Sequence, residues 1–179
     1  RNECKKGDDL LDADPVTAID CYKEALQLWP ESHEARMKLG RVLVEVGDIR
    51  EGILQYDEVI DDKPDMSEPR RLRAKAWMKL EEYDRAIEDY TGLIRITAGT
   101  EIEWAEAYSL RAWVYAEKGE FDSALKDIDL AINKKLGTPE FFNLRGLIYR
   151  KEDPNKAIMY YEEAIRLRPG YAEATLSLG

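Results

Sequence analysis

The chain has 179 residues, 44% of them hydrophobic and 36% charged, with a formal net charge of −10. The apolar content argues for a folded core and against disorder. The negative charge argues against a general nucleic-acid or anionic-membrane binder, because phosphates are repelled at long range.

No apolar run reaches the roughly 18–20 residues of a membrane-spanning helix, so no membrane insertion is expected. Cys4 and Cys21 fit neither a disulfide framework nor a zinc spacing. Two free thiols are compatible with a reducing compartment such as the cytoplasm. The chain begins at Arg1 without a Met or a signal-like apolar core, and so reads as a piece of a longer protein.

In chain order, a small residue recurs at Gly7, Gly40, Ala74, Ala112, Gly146 and Gly179, at steps of 33, 34, 38, 34 and 33. Three residues after the first five stand Leu10, Leu43, Trp77, Tyr115 and Tyr149. A second series follows at Ala18, Gly52, Ala86, Ala124 and Ala157. Four residues beyond it are Tyr22, Tyr56, Tyr90, Ile128 and Tyr161, and three further on are Ala25, Val59, Leu93, Ala131 and Ala164. Spacings of three and four put each set on one helical face. Pro30, Pro64 and Pro169 close three of the units. A fixed period of this length means a two-helix unit that buries its apolar faces against copies of itself. The units fall at about 1–32, 33–66, 67–104, 105–138 and 139–171, with 172–179 opening a sixth, in one array over 1–179.

These columns resemble the tetratricopeptide repeat, or TPR, whose signature is Leu-Gly, an aromatic, then Ala, an aromatic and Pro. Leu39-Gly40 and Leu178-Gly179 match its Leu-Gly, and Gly47-Asp48 and Gly119-Glu120 match its turn. The resemblance covers essentially the whole chain. It implies an all-α, right-handed superhelical solenoid of antiparallel helix pairs. The departures also carry information. The first and fifth units are one residue short at the turn, where Asp14-Pro15 and Asp153-Pro154 read as compact helix starts, Asp accepting from free amides and Pro taking the first position. Four extra residues around Thr100 to Trp104 predict a longer loop or an early helical turn, with a local change of pitch. Gly52 stands in place of Ala, at about 1 kcal/mol in helix propensity.

Arg precedes the small residue at Arg73, Arg111 and Arg145, and Asp precedes the second-helix large residue at Asp89 and Asp127. Pairs of Arg73 with Asp89 and Arg111 with Asp127 are expected. Arg145 stands opposite Tyr160, and its partner is left open.

Nothing in the sequence assembles a catalytic site. His33, the single histidine, reads as a solvated residue at a helix start, and no nucleophile is placed beside it. Cys21 is expected to fill a helix–helix contact. Asp8-Asp9-Asp12-Asp14 and Asp57-Glu58-Asp61-Asp62 lack the central Gly and final Glu of a calcium loop, so they read as solvated helix faces. Glycine-rich phosphate loops are absent, and no cofactor or metal is expected.

In this family the first helices line the concave groove. The resemblance therefore points to positions three before and one after each small residue, with others a turn further on. These are Met37, Arg41 and Glu45; Arg71, Lys75 and Lys79; Ser109, Trp113 and Glu117; and Asn143, Leu147, Arg150 and Lys151. Among them Arg41, Arg71, Lys75, Lys79, Trp113, Asn143, Leu147, Arg150 and Lys151 form the expected partner-binding set. A basic inner face with a tryptophan in it implies a non-enzymatic scaffold that takes a protein or peptide segment carrying acidic residues. The Lys/Asn carboxylate clamp of chaperone adaptors is missing, since Cys4, Asp8, Met37 and Arg41 stand at its positions. Two other readings stand beside it: self-assembly into homo-oligomers through the uncovered ends of the array or its outer face, Trp29 and Trp104 included, and a recruiting or regulatory arm, co-chaperones included, of a larger protein.

Overall fold

The computed structural model describes residues 7, 14–133, 137–150 and 153–178, with side chains at the C-terminal end described as far as residue 175. All regular structure among the described residues is helical. The helices are α1 (Pro15–Leu28), α2 (His33–Val46), α3 (Ile49–Asp62), α4 (Ser67–Lys79), α5 (Tyr83–Ile96), α6 (Glu101–Lys118), α7 (Phe121–Asn133), α8 (Pro139–Tyr149), α9 (Pro154–Leu167) and α10 (Ala172–Leu178). No helix among the described residues is long and apolar enough to cross a membrane. The chain forms two compact units, residues 1–89 and 90–179.

In the first unit, α1 packs on α2, α2 on α3, and α3 on α4. Ala18, Ile19 and Tyr22 of α1 bury against Leu39, Val42 and Leu43 of α2. The repeating small residue admits the second-helix ring: an added methyl on Gly7 or on Gly40 would sit 2.7 Å from Cε1 of Tyr22 or Tyr56 respectively. Gly52 faces Gly40 at the α2–α3 crossing. A methyl there would meet Cγ2 of Val44 at 2.6 Å and the Gly40 carbonyl oxygen at 2.7 Å. The glycine that looked costly for propensity is what lets the two backbones approach this closely.

In the second unit, α6 pairs with α7 and α8 with α9, while α6 and α8 also touch directly. One core holds Ala105, Ala112, Ala124, Ile128, Ala131, Phe141 and Ile148. Another holds Ala157, Tyr161, Ala164, Tyr171 and Ala174. The four extra residues become an early helical turn: α6 begins at Glu101 and runs 18 residues, so the boundary placed at 104/105 falls inside a helix.

The helix starts follow the local chemistry. Asp14 accepts from the Thr17 amide at 3.2 Å, Asp153 accepts from the Lys156 amide at 3.1 Å, and Pro15 and Pro154 occupy the first position behind them. The turns of the second and fourth repeats rest on glycines with left-handed backbones, Gly47 at φ 101° and Gly119 at φ 86°. Glu81 takes the same place in the third repeat at φ 58°, where a side chain costs roughly 1–2 kcal/mol.

The Arg–Asp pairs form. Arg73 reaches Asp89 from Nε at 2.9 Å and from Nη2 at 2.5 Å, and Asp57 from Nη1 at 2.6 Å. Arg111 holds Asp127 at 2.7 and 2.9 Å and also donates to Thr91 at 2.9 Å. Arg145 takes a different pair, Asp129 at 2.8 Å and the ring of Tyr160 at 4.6 Å. Each arginine thus ties its own repeat's second helix to that of the repeat before. Burial opposes the charge on Arg73, but the hydrogen bonds to Asp89 and Asp57 outweigh it and hold its pKa above the ordinary guanidinium value. Burial of Asp89 outweighs what Arg73 returns, so that carboxyl sits above the usual carboxylate range.

Candidate partner-binding surfaces

The two kinds of position expected to face a partner behave differently. The residue after each small one is open in every repeat where both are described: Arg41, Lys75, Trp113 and Leu147 are all exposed. The residue three before is covered. Met37, Arg71 and Ser109 are half-buried and Asn143 is buried. Asn143 is 7% exposed, and its Oδ1 has no hydrogen-bond partner among the described residues. The expectation that Asn143 offers itself to a partner is therefore corrected. Packing covers this position partly in three repeats and almost fully at Asn143.

In the first unit, Arg71, Lys75 and Lys79 follow one another at one-turn intervals on α4, with Lys75 and Lys79 exposed. Arg71 is half-buried, its Nε 3.9 Å from Glu68 Oε2. Arg41 is exposed on α2, which contacts α4 directly. Burial raises the pKa of the Tyr56 phenol beneath this surface, Arg41 opposing the rise and Glu45 and Glu68 adding to it. The face is a basic ridge with carboxylates at its edge.

In the second unit, the first helices and the start of α7 enclose an open pocket of about 240 Å³. Trp113, Glu117, Phe121, Leu144, Leu147 and Arg150 line it, together with Ala116 and Ile148. Trp113 and Leu147 are each 37% exposed, and the Trp113 indole donates to Glu117 Oε1 at 3.2 Å. Arg150 is exposed at the rim. Three expected residues, Trp113, Leu147 and Arg150, thus come together. Lys151 lies outside the described residues. The pocket combines apolar side chains with one charge of each sign, Glu117 and Arg150, and so differs in character from the basic ridge. Phe121 and Leu144 were missed. Both are half-buried against the core of this unit, and only the meeting of α6, α7 and α8 brings them to the opening.

Other sequence expectations resolve here. His33 is not simply solvated: its Nε2 lies 2.6 Å from Asp62 Oδ2. Asp57 is held by Arg73. Cys21 is buried at 3% exposure in α1, and Cys4 lies outside the described residues. Trp29 is exposed at 49%, whereas Trp104 packs edge-on against Tyr108 at 4.3 Å and is half-buried.

Family models described as tetratricopeptide repeat match residues 10–77, and residues 105–133 and 139–171, which together make up most of the chain. The chain belongs to the tetratricopeptide-repeat family. Solved structures share its all-α solenoid fold. MamA superposes with a TM-score of 0.73 and 25% identity, over 89% of this chain and 92% of that one. The thermophilic TPR protein TTC0263 of Thermus thermophilus gives 0.71 and 18%, over 99% and 95%. YrrB, described as a TPR protein with an unusual peptide-binding site, gives 0.69 and 19%, over 98% and 89%. A curated human relative, protein O-mannosyl-transferase TMTC1, is 23% identical over 153 residues. The match spans 85% of this chain but 17% of that protein. TPR proteins are generally non-enzymatic scaffolds, and the repeats support a protein–protein interaction role.

Proposed function

We propose that the chain captures a segment of a partner protein on the open faces of its first helices. In the first unit, acidic residues of a partner segment meet Arg41, Lys75 and Lys79; in the second, taken by itself, an apolar side chain of a partner enters the Trp113 pocket. That pocket carries the proposal, since it joins three residues singled out independently by their place in the repeat: Trp113, Leu147 and Arg150. An exposed tryptophan beside an exposed leucine, with charged groups at the rim, has the make-up of an interface anchor. The peptide-binding site named for YrrB supports a peptide as ligand for this fold.

Affinity capture with the chain beside an Arg71→Ala/Lys75→Ala/Trp113→Ala variant tests this. Capture is expected to be lost while helicity by circular dichroism is retained; undiminished capture removes the proposal.

Self-assembly is the second reading, favoured by Leu28 and Trp29, exposed side by side at 61% and 49%. Sedimentation of the chain alone discriminates: mass that rises with concentration supports self-assembly, and a constant monomer mass counts against it. The likeness to a short stretch of a transferase is compatible with the same scaffold serving as the recruiting arm of a larger protein.

A further inference from the structure

The first unit holds a second pocket, which the partner-binding surface does not use. It measures about 380 Å³ and lies between Asp57 and Asp61 of α3, Arg73 and Trp77 of α4, and Arg85, Glu88 and Asp89 of α5. Arg73 and Trp77 are two residues out of phase with Lys75 and Lys79. At about 100° per residue this sets the pocket on the far side of α4 from the basic ridge.

Its charges divide into committed and idle groups. The Arg73 guanidinium is spent on Asp89 and Asp57. Asp61 and Glu88 are exposed, and neither is held by an ion pair or hydrogen bond among the described residues. Arg85 has a 53% exposed side chain lying 4.0 Å from Glu82 Oε2. Its guanidinium carbon stands 4.5 Å from the centre of the Trp77 ring. Carboxylates alone would be a solvated face. Here a guanidinium is already seated on the aromatic wall of a pocket, and that shows the ligand chemistry the place accepts: a cation stacked on indole, with carboxylates in reach.

We propose that this pocket docks a single basic side chain, arginine or lysine, from a partner protein, and that Arg85 is a tethered stand-in which the incoming cation displaces. Arg85 gives up little on leaving, because one ring and one distant carboxylate hold it and more than half of it is already in water. Asp61 and Glu88 supply the counter-charge, and Trp77 supplies the face. The net charge of −10 draws cations toward the molecule as a whole. The site differs from the acidic-segment surface in position and in sign, so one chain can hold two dissimilar segments at once.

The test titrates N-acetyl-arginine amide and N-acetyl-lysine amide into the full chain, with N-acetyl-glutamine amide as the uncharged control. The indole N–H resonance of Trp77 is followed, after assignment through Trp77→Phe. The resonance is expected to shift saturably with both basic probes and not with the glutamine probe. Arg85→Ala is expected to tighten the arginine probe about threefold, and Asp61→Asn/Glu88→Gln to weaken it by about three- to tenfold. These three substitutions alter exposed side chains, so circular dichroism should not change. An equal response to the glutamine probe, no saturable response to arginine, or an unchanged affinity in Arg85→Ala overturns the proposal. The Arg71→Ala/Lys75→Ala/Trp113→Ala variant is expected to retain this binding, so failure of the partner surface and failure of this pocket are read separately.

Discussion

The small residue of each first helix and the ring of each second helix are partners in contact: Gly7 with Tyr22, Gly40 with Tyr56, Gly146 with Tyr161. Those columns were legible because both residues recur at a fixed period. Gly52 was legible as a position but not as a contact, since propensity describes one helix and its role lies between two. Gly52→Ala separates the effects. Propensity alone favours Ala by about 1 kcal/mol, whereas overpacking costs about 1–3 kcal/mol. The clash is expected to win, because one of the crowded atoms is the Gly40 carbonyl oxygen, which has no rotamer to escape into. A lower urea midpoint for Gly52→Ala checks this; a raised one shows that the crossing relaxes freely. Asn143 is the opposite case, a residue whose repeat position was read correctly and whose burial was not. Sequence periodicity assigns a face, but how far a neighbouring helix covers that face depends on the volumes packed alongside.

At the scale of elements, the compact Asp-Pro starts of α1 and α9 follow from local chemistry, whereas counting residues located the four-residue insertion and left loop or helical turn for the structure to decide. The arginine clamps were half legible. The in-repeat partners Asp89 and Asp127 share a constant offset of 16 residues from their arginines, and a constant offset is visible in sequence. The contacts to the preceding repeat vary, with Asp57, Thr91 and Asp129 serving in turn, and so have no pattern to read. Asp127 is 5% exposed, and removing its partner leaves a buried charge unpaired. Arg111→Met is therefore expected to cost about 3 kcal/mol or more, and Arg111→Met/Asp127→Leu to recover most of that. Paired urea denaturations measure both. A single variant no weaker than the double shows that the clamp is not needed to hold α7.

At the scale of the whole molecule, the net charge of −10 sets a background that the two proposed sites meet with opposite sign. An acidic segment approaching Lys75 and Lys79 is repelled at long range and attracted only at contact, while a basic side chain approaching Trp77 is drawn in throughout. Salt screens the long-range part, over about 30 Å at 0.01 M and about 8 Å at 0.15 M. Between those ionic strengths the association rate of an acidic peptide is expected to rise and that of an arginine-bearing peptide to fall, as measured by stopped-flow fluorescence. A fall for both peptides would show that the local patches, and not the net charge, govern the acidic peptide's encounter. The sequence alone determined the fold class, the helix pairs and the caps. Each depends on residues close in the chain or on a period repeated along it, and helix pairs with small-against-large faces have few ways to pack. The tertiary structure alone decided which faces stay open: that Leu147 is exposed while Asn143, one turn away, is buried, that Phe121 joins the lining of the Trp113 pocket, and that Arg85 rests on Trp77. Those outcomes depend on side chains brought together from different helices, a juxtaposition that no periodicity within one helix encodes.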